Sequence, residues 1–284
     1  MIKNASLENK NVLITGGAGF IGSELTKQVL SHGAKVSVVD NLVNGKKSNL
    51  DLDDKNLMFY EEDIRNQQVM QNLISKSDYV FNLACLGVRH SIHSPIESHS
   101  VNADATLNLL KMSKETDIKK FVHISTSEVY GTAKYVPMTE EHPTAPHTVY
   151  GASKLAGEAY ARAYSKSLNT NTVVIRPFNS YGYNSHHEGD SGEVIPKFII
   201  RALTGNPLYI FGDGEQTRDF TFVTDTAKAI IQIGLNDLTN ETYNLGSENE
   251  ITVNELAKLI LQPILPIHSP VSYTHLRAHE TDTD

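Results

Sequence analysis

Tyr150 and Lys154 are the first pair in the sequence whose types and spacing suggest chemistry. They lie four residues apart in Tyr-Gly-Ala-Ser-Lys, which predicts that they share one face of a helix. A tyrosine with a pKa of about 10 is a poor base at neutral pH, but a neighbouring ammonium group favours its phenolate form. The pair is therefore a candidate base for removing a proton from an alcohol. The same spacing alone is also typical of two surface residues.

Hydroxyl and carboxyl side chains follow the apolar run Phe121–Ser125, in the order Thr126, Ser127 and Glu128. The carboxyl end of a strand in an open parallel sheet is the edge where ligands bind. A hydroxyl group there can share the proton of a reacting alcohol, and Glu128 is a candidate second base. Turn capping is the alternative use of Thr126 and Ser127.

The segment Val12–Gly22 combines an apolar run, three glycines spaced three apart, and the start of a helical pattern. Strand, glycine turn and helix in this order are the context that a dinucleotide-binding loop requires. Gly16, Gly19 and Gly22 let the backbone approach a pyrophosphate, whose charge is favoured at a helix N-terminus. An ordinary glycine-rich turn is the alternative.

Asp40 follows Gly22 by 18 residues and ends the next apolar run. A carboxylate at this place accepts hydrogen bonds from the adenosine ribose hydroxyls and repels a 2′-phosphate, which favours NAD over NADP. Lys46 and Lys47 follow closely, and a solvated loop is their alternative role. Asp63, after the third strand, is either near the adenine or an acidic cap on the next helix.

Apolar strands alternate with helical stretches along the chain. This order predicts an α/β fold with a Rossmann-type doubly wound parallel sheet and a smaller C-terminal substrate-binding region. We expect the dinucleotide-binding domain to span 1–178, with 221–243 packing back on it, and the smaller region to span 179–220 and 244–270. The predicted strands are Asn11–Thr15, Lys35–Asp40, Leu57–Glu61, Tyr79–Leu83, Phe121–Ser125 and Val173–Arg176, and the predicted helices are Phe20–Ser31, Val69–Ser75, Glu97–Lys114, Val149–Ser167, Ile195–Leu203, Thr224–Leu235 and Thr252–Leu261.

Composition excludes several classes of function. The formal charge is −8 over 284 residues and no basic face stands out, so nucleic-acid binding is not expected. The sequence contains no run of about 18 apolar residues, so no membrane span is predicted. Cys85 is the only cysteine, so no internal disulfide is possible, in keeping with a cytoplasmic location. His186, His187 and Glu188 with Asp190 suggest a metal site, but adjacent histidines in a polar loop usually face solvent, and we expect no metal.

The glycine loop, Asp40, Thr126, the Tyr150–Lys154 pair and Arg176-Pro177-Phe178-Asn179 together resemble the extended short-chain dehydrogenase/reductases. These are the NAD-dependent nucleotide-sugar epimerases, dehydratases and decarboxylases, and the similarity runs from about Lys10 to Leu261. The resemblance implies NAD as cofactor, a nucleotide-sugar substrate and a homodimer. It implies catalytic roles for Thr126, Glu128, Tyr150 and Lys154, cofactor contacts from Gly16, Gly19, Phe20, Ile21, Gly22, Asp40, Asn41, Asp63, Ile64, Leu83, Ala84, Asn102, Tyr150 and Lys154, and substrate contacts from Ser91, Ser127, Asn179 and Arg218.

The shared first step of this family is oxidation of the sugar at C4, with Tyr150 as the base. The string Thr126-Ser127-Glu128-Val129-Tyr130-Gly131 is most similar to the 4,6-dehydratases, in which Glu128 would remove the C5 proton before water leaves from C6. A 4-epimerase or a uronate decarboxylase of the same family is the alternative. Ser127 departs from the aspartate that is typical of dTDP-glucose dehydratases. A non-catalytic NAD-binding sensor is the alternative of another class, which the intact catalytic residues argue against.

The C-terminal stretch Val271–Thr281 resembles the translation of a sequencing adapter and lacks apolar periodicity. We expect the natural coding sequence to stop near Pro270 and residues 271–284 to be a disordered scar. Members of the resembled family continue further and add nucleotide-binding residues there. The hypothesis implies that NAD binding survives better in this chain than substrate binding does.

Overall fold

Seven parallel strands form the central sheet of the protein. The computed structural model describes residues 6–189 and 192–262 and the backbone of 271–274. The strands occur in the order β10-β6-β5-β4-β1-β2-β3. They are β1 (Asn11–Thr15), β2 (Lys35–Val39), β3 (Leu57–Tyr60), β4 (Tyr79–Asn82), β5 (Lys120–Ile124), β6 (Thr172–Pro177) and β10 (Glu241–Leu245).

Helices cover both faces of this sheet, which explains why β4, β5 and β6 are buried at every position. One face packs against α1 and α8, and the other against α2, α5 and α6. The helices are α1 (Phe20–Ser31), α2 (Gln67–Ile74), α3 (Val88–His93), α4 (Pro95–His99), α5 (Thr106–Lys114), α6 (Val149–Leu168), α7 (Val194–Leu203), α8 (Val223–Leu235) and α9 (Val253–Leu261). The predicted doubly wound parallel sheet is confirmed.

The strand order reverses at β1, because β2 lies on one side of it and β4 on the other. The crevice at such a reversal is where open α/β sheets bind ligands. The loops after β1, β4 and β5 open at this edge. The chain therefore brings the glycine loop, the segment after Asn82 and the segment after Ile124 to one place.

The chain after Pro177 builds two small sheets. The strands β7 (Asn179–Tyr181), β9 (Thr217–Phe222) and β11 (Glu250–Thr252) form one of them, in the order β11-β9-β7. A third apolar cluster joins α7, α9 and β8 (Leu208–Phe211). The segment 221–243 contributes α8, which packs on α1, while β10 extends the central sheet. The domain limits drawn from the sequence remain a prediction.

Three differences from the sequence-based expectations concern local structure. The predicted helix Glu97–Lys114 is interrupted by a π-helical segment, Ser100–Ala105, between α4 and α5. The short helix α3 was not predicted. The expected disorder of 271–284 is wrong for Val271–Thr274, which form the strand β12 beside β8, because an open strand edge offers unpaired backbone groups to a β-prone segment. Residues 275–284 lie outside the described residues.

Within the described ranges, no helix combines the length and the apolar character that crossing a bilayer requires.

Candidate functional site

The glycine loop connects β1 to α1 in a conformation that depends on missing side chains. Gly16 has a φ of +70°, and a Cβ atom there would lie 2.7 Å from the backbone nitrogen of Ala84. A Cβ atom on Gly22 would lie 2.0 Å from the carbonyl oxygen of Gly16. Gly19 precedes α1 in an extended conformation, and a Cβ atom on it would contact only the carbonyl oxygen of Gly16. The loop thus presents bare backbone at a helix N-terminus, which suits a pyrophosphate.

Replacing Gly22 with alanine is expected to lower the free energy of unfolding by about 1–3 kcal/mol, because the added methyl group has no space. Chemical denaturation without ligand measures this loss. Gly87→Ala is the matched control, since a Cβ atom at Gly87 meets nothing within 4 Å and its φ is −75°. A loss of similar size in both variants would contradict the steric argument.

Two carboxylates predicted to meet the adenosine lie beside this loop. Asp40 accepts hydrogen bonds from the backbone N–H groups of Ala18 (3.0 Å) and Leu42 (2.8 Å). Burial raises the pKa of Asp40 although these N–H groups oppose the rise. Asp63 accepts hydrogen bonds from Arg65 and Asn41, and the bonds from Arg65 are the main reason that its pKa is lowered.

Lys46 and Lys47, the positive charges close behind Asp40, form ion pairs from the loop after β2. Lys46 is 3.4 Å from a carboxylate oxygen of Glu188, and Lys47 pairs with Glu61. Both have carboxylate partners in the protein, so they are less available for a 2′-phosphate.

Tyr150 lies at the N-terminal end of α6, where it lines the cavity described below and interacts with the side chains of Thr126 and Cys85. Burial raises the pKa of Tyr150 far above the ordinary value, Cys85 and Glu128 add to the rise, and the interaction with Thr126 opposes it. Lys154 is 2 % exposed, and burial lowers its pKa. Without ligands, the phenol is therefore protonated at neutral pH.

The start of α6 is fixed by Thr148, whose hydroxyl group accepts a hydrogen bond from the backbone of Gly151 (2.9 Å). This N-cap sets the helix register, so Tyr150 and Lys154 lie one turn apart on one face.

A buried ionic cluster holds α6 against the central sheet one turn beyond Lys154. Glu158 is fully buried and accepts hydrogen bonds from Arg176 at 2.9 and 2.7 Å, from Arg162 at 2.9 Å and from Ser125. Burial raises the pKa of Glu158, but the bonds and charge of Arg176, with Ser125 and Arg162, outweigh burial and leave the pKa lowered.

Thr126 caps the turn after β5 and also lies beside Tyr150, and its catalytic role remains a prediction. Its hydroxyl group accepts a hydrogen bond from the backbone N–H of Glu128 (3.2 Å), capping the short 3₁₀ helix Ser127–Val129, and it also contacts Tyr150. The side chain of Glu128 is exposed, and neither Glu128 nor Ser127 lines the cavity described below.

Asn102 lies behind the site and ties three elements together. Its amide accepts from the N–H of Leu86 and donates to the carbonyl of Leu86, each at 2.9 Å, and it donates to Ser153 of α6 at 3.0 Å. The residue is fully buried in the π-helical segment, a type of distortion that is frequent at functional sites. Asn102 therefore positions the loop after β4 relative to α6.

One cavity of about 630 Å³ runs from the glycine loop to the small C-terminal sheets. Most of the predicted site residues line it, and five do not. Those that line it are Gly16, Gly19, Phe20, Ile21, Gly22, Asp40, Asn41, Asp63, Ile64, Leu83, Ala84, Thr126, Tyr150, Lys154 and Asn179, and those that do not are Ser91, Asn102, Ser127, Glu128 and Arg218.

Comparison with known proteins agrees with this geometry. The model of the NAD dependent epimerase/dehydratase family matches residues 12–246. The chain belongs to this family. The resemblance inferred from the sequence is confirmed.

Two curated relatives of this epimerase/dehydratase chain have different activities in their names. A putative UDP-glucose 4-epimerase of Methanocaldococcus jannaschii is 37% identical over 256 residues, covering 89% of this chain and 82% of the relative. UDP-glucuronic acid decarboxylase 1 of Xenopus tropicalis is 33% identical over 262 residues, and the match covers 90% of this chain but only 60% of the relative.

Solved structures show the same spread of activities. A UDP-N-acetylglucosamine 4-epimerase of Methanobrevibacter ruminantium, in complex with UDP-N-acetylmuramic acid, has a TM-score of 0.90 and 34% identity, and the match covers 95% of this chain and 86% of that one. DesIV, a dTDP-glucose 4,6-dehydratase of Streptomyces venezuelae with NAD bound, has a TM-score of 0.86 and 30% identity, with coverage of 93% and 84%.

NAD is the cofactor of this epimerase/dehydratase, as the sequence predicted. The residues present fit it, since the glycine loop leads into the N-terminus of α1, and Gly16, Gly19, Gly22 and Asp40 line the same cavity. The residues that would hold NAD are the glycines, Asp40, Asp63 and the segment Leu83–Ala84.

The chain after Pro177 also lines the cavity, and here the structure adds residues that the sequence did not single out. Asn179 of β7 lines it, and so do Phe220 of β9 and Glu193 at the start of α7. Arg218 is exposed outside the cavity, but it shares a face of β9 with Phe220, about 7 Å along the strand. Ser91 is buried, and its hydroxyl group donates to the carbonyl of Val88.

Cys85 is a further residue that the structure adds, since it lines the cavity beside Tyr150. No sequence pattern separates it from an ordinary buried cysteine.

Across the described residues, no group of three His, Cys, Asp or Glu side chains is arranged to hold a metal ion. Asp190, part of the metal alternative, lies outside those residues, and the expectation of a metal-free site remains a prediction.

Proposed function

We propose that this chain is a nucleotide-sugar 4-epimerase that oxidises C4 of the hexose and then reduces it from the opposite face. The observation that carries the proposal is the single cavity that contains the glycine loop, the Tyr150–Thr126 pair and the wall around Asn179. A cofactor and a second ligand both have access to the Tyr150 hydroxyl group in such a cavity.

The reacting groups of the chain act on the sugar 4-hydroxyl. When bound, NAD supplies the hydride acceptor for C4 and a positive charge that favours the phenolate of Tyr150. Tyr150 takes the proton of the 4-hydroxyl, and Thr126 stabilises the oxygen that remains by a hydrogen bond. Lys154 contributes its charge one helical turn away, and Tyr150 returns the proton when C4 is reduced.

The position of Glu128 favours epimerisation over elimination. A 4,6-elimination needs a base at C5, and Glu128 is exposed and does not line the cavity. Epimerisation needs no base other than Tyr150. The names of the relatives point to a UDP-hexose as the substrate, and Arg218 of β9 would reach the diphosphate from the edge of the cavity.

A 4,6-dehydratase is the second candidate, because the charge of Glu128 acts on the Tyr150 hydroxyl group and so lies close to it. The sequence-based assignment to the dehydratases rests on this residue and remains a prediction. A uronate decarboxylase and a non-catalytic NAD sensor are the further alternatives.

Mass spectrometry, combined with chromatographic separation of the 4-epimers because these have equal mass, distinguishes the reactions of UDP-, dTDP-, GDP- and CDP-glucose. We expect an unchanged mass and formation of the 4-epimer, with full activity in Glu128→Gln. Loss of water that disappears in Glu128→Gln would identify a dehydratase. Loss of carbon dioxide from a UDP-uronate would identify a decarboxylase, and no product with any sugar would favour the sensor.

We also propose a homodimer in the cytoplasm. Apolar side chains are exposed on α3, α4 and α6, at Ile92 (50 %), Ile96 (82 %) and Val149 (42 %), and exposed apolar groups of this kind often mark an interface. Sedimentation analysis at micromolar concentration tests the assembly, and a strictly monomeric protein would contradict it.

A further inference from the structure

Four acidic residues line the cavity, and one of them differs from the rest. Asp40 and Asp63 accept hydrogen bonds from neighbouring protein groups, and Glu62 accepts one from Asn66 (3.2 Å). No hydrogen bond or ion pair reaches the carboxyl group of Glu193 from the part of the chain that the structure describes. Glu193 is thus a carboxyl group in the cleft that has solvent or a ligand as its partner.

The backbone holds Glu193 in this position. It is the N-cap residue of α7, but its side chain makes no capping bond, and its N–H donates to the carbonyl of His186 (2.8 Å). Lys197 lies one turn later in α7, which is the spacing of a helical ion pair. Among the described residues, no such pair forms, so the charge of Glu193 is not compensated within its own helix.

The groups around Glu193 offer little stabilisation to its charge. Burial alone raises its pKa to about 7. Burial also lowers the pKa of His186, and Lys46 and His187 add to the effect, so the neutral form of His186 is favoured over the charged one. The other titratable or charged side chains that line the cavity, besides its acidic residues, are Cys85, Arg89, His90, Tyr150, Lys154 and Tyr181.

We propose that Glu193 is a substrate-contacting residue that is protonated when the nucleotide sugar occupies the cleft, so that substrate binding takes up a proton. This inference rests on the proposed nucleotide-sugar substrate. The diphosphate brings two negative charges into the same cavity of about 630 Å³, and its low-dielectric walls strengthen repulsion from a carboxylate. A protonated carboxyl group avoids the repulsion and donates a hydrogen bond to a diphosphate oxygen.

The sign of the effect follows from linkage. If Glu193 binds its proton more tightly in the complex than in the free protein, the substrate binds most tightly at low pH. This gain in affinity is lost as the pH rises above the pKa of Glu193 in the free protein. From pH 6 to pH 8 we expect the affinity to fall about five- to tenfold. At pH 7, binding should take up about half a proton per site.

Calorimetric titration tests this with the NAD-loaded protein in the Tyr150→Phe background, which prevents turnover. UDP-, dTDP-, GDP- and CDP-glucose are titrated first, and the tightest binder is used, since the phosphates of these sugars remain fully ionised between pH 6 and 8. Titrations in two buffers of different ionisation enthalpy then give the number of protons taken up. Glu193→Gln keeps the shape and a hydrogen-bond donor but cannot titrate.

We expect the Tyr150→Phe protein to take up a proton at Glu193 when the sugar binds. When Glu193→Gln is added, no proton should be taken up at this site, and the affinity for the sugar should change less than twofold between pH 6 and 8. Glu62→Gln is the matched control, because Glu62 lines the same cavity but has a protein partner, and it should keep the full pH dependence. Equal pH dependence with and without Glu193→Gln would overturn the inference and leave the proposed function intact. Failure of all four sugars to bind would instead overturn the proposed function.

Discussion

Tyr150→Phe should lower the turnover of a nucleotide hexose by about 10³-fold, because general base catalysis contributes about 10²–10⁴-fold. The phenylalanine keeps the buried ring but removes the hydroxyl group that Thr126 and Cys85 contact. Substrate binding is expected to persist, so the effect should appear in kcat and not in the dissociation constant. Steady-state kinetics of epimer formation, with calorimetric titration of the same variant, measure both.

Tyr160→Phe is the matched control for this result. Tyr160 lies on the same helix as Tyr150 but packs on the apolar cluster beneath the sheet, away from the cavity. Tyr160→Phe also removes one hydroxyl group, but its kcat should stay within about twofold of the kcat of the protein without the substitution. If Tyr150→Phe kept more than a tenth of the activity, the role of Tyr150 as the base would be wrong.

Glu158→Gln should destabilise the protein by about 3–5 kcal/mol, because it leaves the guanidinium group of Arg176 buried without a counter-charge. Arg176 is 3 % exposed and bonds Glu158 through two nitrogens. A loss of this size lowers the unfolding midpoint by ~10 °C in a protein of this length. Calorimetry or chemical denaturation at neutral pH measures the loss.

The pH dependence of this loss has a definite sign. The pKa of Glu158 is lowered in the folded protein below the ordinary value for glutamate. Its ion pair therefore stabilises the protein above pH ~4.5, and the stabilisation is lost as pH falls below that value toward the lower folded pKa. The difference between Glu158→Gln and the unchanged protein should shrink over the same interval.

Glu61→Gln is the control, because Glu61 pairs with Lys47 at the surface, where both side chains are about half exposed. Removing a surface pair changes stability by no more than about 1 kcal/mol. Equal losses from Glu61→Gln and Glu158→Gln would show that burial of the Glu158–Arg176 pair has no special effect.

The sequence by itself determined the features that depend on neighbouring residues. The alternation of apolar strands and helices predicted the parallel sheet, since strands covered on both faces have continuous apolar runs. The glycine spacing predicted the dinucleotide loop, and the four-residue spacing of Tyr150 and Lys154 predicted their shared face. Each of these follows from backbone geometry within one or two turns of chain.

Contacts between distant segments needed the tertiary structure. Asn102 bonds Leu86 and Ser153, which lie 16 and 51 residues away, and these bonds accompany a π-helical segment that no local pattern predicts. Glu193 and Cys85 are unremarkable in the sequence and meet the site only because β4 ends and α7 begins at the same cavity.

Glu128 shows the same division most directly. Its place after a buried strand predicted a residue near the active tyrosine, and its charge does act on Tyr150. Glu128 lies in the 3₁₀ turn that Thr126 caps, where it is exposed and does not line the cavity. The sequence determines which residues come near the reacting carbon because strand ends meet at one sheet edge, whereas side-chain direction and burial depend on packing between distant elements and were decided only by the tertiary structure.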